Sequence, residues 1–159
     1  TGIPYLPVCR PSPSVRRGCE GGSRHVPTAR AFWMGFAVYV VPSLAVADLW
    51  HLVVFAAQYK SLGIYRGDVI MPLGLASRRI QGAAFSAAYP RIFPERRRVL
   101  RNGVALGVGL ALLSWSFTTL AVAAKQVMTS VPDYLVLETG FTLLQFAVVG
   151  PSMAWAYRD

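Results

Sequence analysis

The chain has 159 residues, of which 54% are hydrophobic and only 14% are charged, whereas a typical soluble domain is about 25% charged. This composition excludes a soluble helical core, because too few polar residues remain to cover its outside. The net charge of +9 would suggest a nucleic-acid partner in a soluble protein, but here the basic residues are segregated between apolar stretches, which argues against one.

Residues 1–31 are rich in Pro, Gly, Ser and Arg and show no helical or strand periodicity. This composition predicts a disordered, processed or non-native segment, with Met34 as an alternative translation start. Cys9 and Cys19 lie in this segment. Their spacing matches no usual zinc motif, so we expect neither a metal site nor a disulfide.

Residues 32–159 contain four apolar stretches that are separated by short charged connectors. Each stretch is longer than the roughly 18 residues that mark a membrane-spanning helix. We therefore predict an all-α polytopic membrane protein, built as an antiparallel four-helix transmembrane bundle. The predicted spans are 32–57, 70–89, 103–124 and 134–157.

Local signals mark the ends of two of these helices. Asp68 is placed to cap the second helix, with Pro72 in its first turn, and Pro90 and Pro94 are expected to end it. Before the fourth helix, residues 130–133 match a capping box with proline in the first turn. These signals predict where the second and fourth helices begin.

The positive charges predict the orientation of the bundle. Lys and Arg are enriched in short cytoplasmic loops, and most of the arginines lie in residues 1–31, in the connector between the second and third spans, and at Arg158. The two other connectors carry only Lys60, Arg66 and Lys125. Both termini and the arginine-rich connector are therefore expected on the cytoplasmic side.

Polar residues inside the spans are expensive to place in lipid, so they are expected to face protein or water. Counting residues from the external end of each predicted helix places them at similar depths, in the outer half of the bundle. The expected polar cluster consists of Asp48, His51, Arg78, Gln81, Thr118, Lys125, Glu138 and Gln145.

One interpretation of these residues is a polar cavity that opens to the outside. Asp48 and Glu138 would exchange protons, and Arg78 would supply a counter-charge or bind an anion. His51 would relay protons.

The alternative interpretation is a structural network without chemistry. Asp48 would then pair with Arg78, and Glu138 would pair with Lys125 or Arg79. Such pairs would specify the register of the helices and nothing more.

A stripe of small residues, Gly103, Gly107 and Ala111, lies on one face of the third predicted span. Such a stripe permits close helix packing within a chain or across a dimer. His51 is the only histidine in the spans, which argues against haem held between two helices of one chain. No catalytic or metal-binding motif is present, so the sequence predicts neither an enzyme nor a cofactor.

Two segments, 62–66 (LGIYR) and 119–145, resemble small four-span proteins of the bacterial inner membrane. No activity is established for that group. The resemblance covers about residues 34–157 and implies the four-span fold and a bacterial cytoplasmic membrane. It also draws attention to Asp48, His51, Lys125 and Glu138.

Two functional hypotheses follow from the sequence. The first is a binding or assembly role, as an accessory subunit or a lipid-handling protein, with the polar cluster as the recognition site. The second is a small proton-coupled transporter that acts as a dimer, since four helices alone enclose little space. The expected partners are the lipid bilayer and a second copy or a larger membrane complex, and not nucleic acid.

Overall fold

The computed structural model describes residues 28–64, 70–95 and 97–158, and these residues form helices and turns without a strand. The all-α prediction is confirmed. Residues 1–27 of the predicted N-terminal segment lie outside the described part. The elements in chain order are α1 Ala29–Asp48, π-helical segment π1 Leu49–Val54, α2 Ala56–Leu62, α3 Met71–Ile92, α4 Val99–Ser114, π-helical segment π2 Trp115–Leu120, α5 Ala121–Ala123 and α6 Val131–Ala156.

Three helical stretches are long and apolar enough to cross a membrane: Ala29–Val54, Val99–Ala123 and Val131–Ala156. They coincide with the first, third and fourth predicted spans. The second predicted span is also a helix, and α3 has 22 residues. α3 is not among the three candidate membrane-spanning helices, because Arg78 and Arg79 lower the mean hydropathy of its middle.

Helix starts follow local capping chemistry. α1 begins before Phe32, where Thr28 Oγ1 accepts a hydrogen bond from the Ala31 N–H at 3.3 Å. The predicted start of α6 is confirmed by the N-cap half of the capping box, since Ser130 Oγ accepts from the Asp133 N–H at 3.4 Å.

The start of α3 is only partly as predicted. Pro72 lies in its first turn, but the residue before the helix is Ile70, whose side chain makes no cap. Asp68, the expected cap, lies outside the described residues.

Pro90 does not end α3, contrary to the prediction, because the helix continues to Ile92. Proline has no N–H to donate to the carbonyl four residues back, which here belongs to Ser86. The hydroxyl of Tyr157 donates to that carbonyl oxygen instead, at 2.8 Å. A side chain from beyond the end of α6 therefore satisfies the group that Pro90 leaves without its usual donor.

The helices pack around α6, which contacts both α1 and α4, while α3 packs against α1. The small residues of α4 pack against α6 of the same chain. A Cβ atom on Gly103 would lie 2.9 Å from Pro151 Cα, and one on Gly107 would lie 2.8 Å from the Phe146 carbonyl oxygen. Ala111 is half-buried further along the same helix and packs against the core. Packing between α4 and α6 therefore accounts for the stripe.

Candidate functional site

A cavity of about 570 Å³ lies between α1–π1 and α3. We call it the α1–α3 cavity. Its polar lining residues are Asp48, His51 and Arg78, three of the residues that the sequence singles out. Its apolar walls include Leu44, Leu52, Met71 and Leu75.

The helix geometry explains why these polar groups share one cavity. Asp48 and His51 are three residues apart, close to one helical turn, and lie at the junction of α1 and π1. Arg78 lies two turns into α3, which packs against α1. π-helical turns are rare and are frequently found at functional sites. The junction therefore presents one carboxylate and one imidazole to the same space as a guanidinium.

Asp48 and Arg78 line the same cavity, but no ion pair joins them. Among the described residues, the ion pairs involve only His51, Glu138 and a set around Glu95. The Arg78 guanidinium donates instead to Gln81 Oε1 at 3.3 Å. The Asp48–Arg78 pairing of the structural interpretation is therefore not formed.

His51 connects the cavity to α6. Its Nδ1 lies 2.9 Å from the carbonyl oxygen of Ala47, and its Nε2 lies 3.3 Å from Glu138 Oε1. The hydroxyl of Tyr59 donates to the same carboxylate oxygen at 2.8 Å. Glu138 is only 7% exposed. Its carboxylate is thus paired with a histidine and a tyrosine, rather than with a lysine or an arginine.

The contacts of His51 limit where hydrogen atoms can lie in the His51–Glu138 pair. A carbonyl oxygen only accepts, so the Ala47 contact requires a hydrogen on His51 Nδ1. The contact between Nε2 and Glu138 then needs a second hydrogen, on either Nε2 or the carboxyl group. In both arrangements the pair holds one transferable proton and has no net charge. Loss of this proton would leave the carboxylate facing the lone pair of the imidazole.

Aromatic rings enclose the pair. The His51 ring centroid lies 4.4 Å from that of Phe141 and 4.7 Å from that of Tyr59. Such packing keeps water away from the contact, which strengthens the electrostatic interaction between the two partners. The His51–Glu138 pair is therefore screened by aromatic side chains on the side of the ring that faces the protein.

Tyr59 is the residue that sequence reasoning missed. In a straight helix it would lie about 12 Å along the axis from His51. The chain bends at Phe55, which has φ −114° and ψ 19°, and this bend brings the two rings together. Thr129 stabilises the C-terminal end of α2 by donating its N–H to the Leu62 carbonyl oxygen at 3.1 Å. No spacing rule in the sequence indicates that bend.

The remaining members of the expected cluster lie elsewhere. Gln81 and Thr118 line a separate cavity of about 160 Å³ between α3 and the α4–π2 helix. Lys125 is exposed in the turn after α5. Gln145 is buried on α6, and its Nε2 has no hydrogen-bond partner among the described residues. The structure therefore divides the expected cluster instead of assembling it in one place.

The described residues contain no group of three His, Cys, Asp or Glu side chains that could hold a metal ion. They define an all-helical protein with three candidate membrane-spanning helices and a cavity of mixed polarity beside the first of them. No protein-family model, curated protein or solved structure matches this chain. The features that bear on function are therefore the α1–α3 cavity and the His51–Glu138 pair.

Proposed function

We propose that this protein spans the bacterial inner membrane as an antiparallel four-helix bundle, with both termini in the cytoplasm, and binds a lipid in the α1–α3 cavity. The length of α3 supports the fourth span, since 22 residues extend about 33 Å and a hydrocarbon core is about 30 Å thick. The arginine-rich connector between α3 and α4 supports the orientation. The proposed role is binding and handling of a lipid, without catalysis.

The observation that carries the proposal is the composition of the α1–α3 cavity. Its volume, about 570 Å³, lies within the range of about 300–1,000 Å³ that is usual for ligand pockets. Apolar side chains form most of the wall, and Asp48 and Arg78 supply charged groups of opposite sign. An amphiphile fits such a site, because its acyl chain can cover the apolar wall while its headgroup meets the charges.

The cavity is accessible from the side of the helices. Leu52 is 48% exposed and Met71 is 53% exposed, although both line it. In a bilayer this opening would face acyl chains, which would enter without crossing water. The source of the ligand is therefore the membrane itself.

Two glycines provide a matched test. Gly74 lines the cavity, and a Cβ atom there would meet no atom within 4 Å. Gly109 on α4 has the same free space but lies outside the cavity. Gly74→Leu should project into the cavity from an unobstructed Cβ position, whereas Gly109→Leu adds the same apolar side chain elsewhere.

The measurement is native mass spectrometry after gentle extraction, together with crosslinking by a lipid that carries a photoactivatable acyl chain. We expect bound lipid in the wild-type protein and in Gly109→Leu, and a loss of about fivefold or more in Gly74→Leu. Equal lipid retention in all three proteins would contradict the proposal. Recovery of a stoichiometric second protein chain instead of lipid would favour an accessory role.

Proton-coupled transport by a dimer is the second candidate function. The observation that favours it is the contact between the His51 imidazole and the buried Glu138 carboxyl group, next to a cavity that His51 also lines. A buried proton site at the edge of a ligand cavity is the arrangement that coupling requires. A second copy would complete the pathway, because four helices enclose little interior space.

The transport hypothesis is tested with Glu138→Gln, which removes the acid from the pair. Glu95→Gln is the control, because Glu95 is an exposed acid that pairs with Arg98 and Arg101. Proton flux into liposomes should be lost in Glu138→Gln and kept in Glu95→Gln. Normal flux in Glu138→Gln would exclude this role for the pair.

A further inference from the structure

We infer that the lipid held in the α1–α3 cavity is a zwitterionic aminophospholipid, with its phosphate on Arg78 and its primary ammonium on Asp48. This inference rests on the proposed lipid binding and adds the chemical class of the headgroup. It follows from two opposite charges that line one cavity without pairing with each other.

The two charged side chains have capacity to bind a ligand. A guanidinium carries five N–H donors, and the partners of Arg78 are neutral: Gln81 Oε1 at 3.3 Å and the Tyr39 hydroxyl. A phosphate is well matched to a guanidinium, which can bind it through two parallel hydrogen bonds. Asp48 forms no ion pair among the described residues, and its exposed carboxylate can accept hydrogen bonds from an ammonium group.

His51, the third polar residue of the wall, does not change the charge balance of the cavity. Its Nε2 faces the Glu138 carboxylate at 3.3 Å, so a positive charge on the ring would be compensated by Glu138. Among the described residues, the charges offered to a ligand are therefore one positive and one negative. A headgroup with one charge of each sign neutralises both, whereas an anionic headgroup would neutralise Arg78 but be repelled by Asp48.

The hydrogen-bonding requirement separates two zwitterionic headgroups. A primary ammonium donates hydrogen bonds to a carboxylate, whereas a quaternary choline group has no N–H to donate. The carboxylate of Asp48 thus favours ethanolamine over choline. Phosphatidylethanolamine is the headgroup chemistry that satisfies both residues.

The depth of the two charges distinguishes this site from ordinary contact with bulk lipid. Asp48 lies six residues before the end of π1, and Arg78 lies seven residues after the start of α3. At the α-helical rise of about 1.5 Å per residue, Arg78 is roughly 10 Å from the start of α3. Asp48 is separated from the end of π1 by the whole six-residue π-helical segment. A headgroup bound there is drawn below the level of its neighbours in the leaflet, so it should stay bound when loosely associated lipids are removed.

The test compares phosphatidylethanolamine, phosphatidylcholine and phosphatidylglycerol with identical acyl chains, each added to delipidated full-length protein and counted by native mass spectrometry. We expect the wild-type protein to retain phosphatidylethanolamine about fivefold to tenfold better than either other lipid. Asp48→Asn should lose the preference over phosphatidylglycerol. Arg78→Gln should lower retention of all three lipids, and Arg78→Lys should keep part of it.

Arg79→Gln is the matched control, since Arg79 is exposed on the same helix but does not line the cavity. It should keep the wild-type preference. Equal retention of the three lipids by the wild-type protein, or an unchanged preference in both Asp48→Asn and Arg78→Gln, would overturn the inference. If lipid is lost in Gly74→Leu but headgroup preference is absent, lipid binding stands and only the headgroup assignment fails.

Discussion

His51 Nε2 lies 3.3 Å from Glu138 Oε1, although the two residues are 87 positions apart in the chain. The contact joins π1 to α6, and His51 also lines the α1–α3 cavity. A movement of π1 would therefore change both the lining of the α1–α3 cavity and the contact with the buried Glu138 carboxylate on α6. Substitutions in the His51–Glu138 pair should therefore affect both the cavity and the packing of α6.

Removal of the Tyr59 hydroxyl should destabilise the pair. Tyr59→Phe leaves Glu138 Oε1 without its 2.8 Å donor, and a hydrogen bond to a charged or buried acceptor contributes about 1–3 kcal/mol. We expect the free energy of unfolding in detergent to fall by roughly that amount. Tyr134→Phe is the comparison, because the Tyr134 hydroxyl makes only a 3.4 Å contact with the Thr118 carbonyl oxygen. An equal loss in both variants would contradict the importance of Tyr59.

Tyr157 and Pro90 should be energetically coupled. Tyr157→Phe removes the donor to the Ser86 carbonyl oxygen, which we expect to cost about 1–3 kcal/mol of unfolding free energy. Pro90→Ala supplies a backbone N–H four residues after Ser86 and should recover part of this loss when combined with Tyr157→Phe. A double-mutant cycle measures the coupling. Strictly additive effects would show that Tyr157 does not compensate for the proline.

Glycine substitutions on α4 should separate close packing from open surface. A Cβ atom on Gly107 would lie 2.8 Å from the Phe146 carbonyl oxygen, whereas one on Gly109 would meet nothing within 4 Å. Gly107→Ala should therefore destabilise the protein by about 1–3 kcal/mol. Gly109→Ala should be neutral or stabilising by up to about 1 kcal/mol, because alanine is the better helix former. Chemical unfolding in detergent checks both, and the reverse order would contradict the α4–α6 packing.

The same glycine tests the assembly hypothesis. Gly107→Leu should disturb the α4–α6 contact and leave membrane insertion intact. Loss of a partner or of a dimer would support an assembly role for this helix pair only if the variant keeps the wild-type helix content and resistance to unfolding in detergent. An unchanged complex, measured by crosslinking in the membrane, would count against it.

The proposed orientation is tested by labelling single cysteines in intact cells. Arg98→Cys lies in the connector between α3 and α4, and Val127→Cys lies in the turn between α5 and α6. Val127 is 93% exposed, so its thiol would be accessible. With Cys9 and Cys19 replaced by serine, a membrane-impermeant reagent should label Val127→Cys and spare Arg98→Cys. The opposite pattern would invert the bundle and place the α1–α3 cavity in the cytoplasmic half.

The helices and the cap at the start of α6 could be predicted from the sequence because they depend on neighbours in the chain. Apolar runs indicated the three candidate spanning helices, and Ser130 with Asp133 indicated the start of α6. The polar residues within the predicted spans also included His51 and Glu138. Depth counting, however, has no information about rotation around each helix axis. It therefore grouped Gln81, Thr118 and Lys125 with Asp48 and His51, although none of the three lines the α1–α3 cavity.

The sequence alone determined the helical class, the membrane-compatible stretches and the segregation of positive charge, since composition and local periodicity are properties of the chain itself. Tertiary structure decided which polar groups meet. The bend at Phe55 brings Tyr59 to Glu138, and Tyr157 lets α3 continue past Pro90. Both contacts join residues more than seventy positions apart, so they depend on how the helices pack and rotate, which no local pattern specifies.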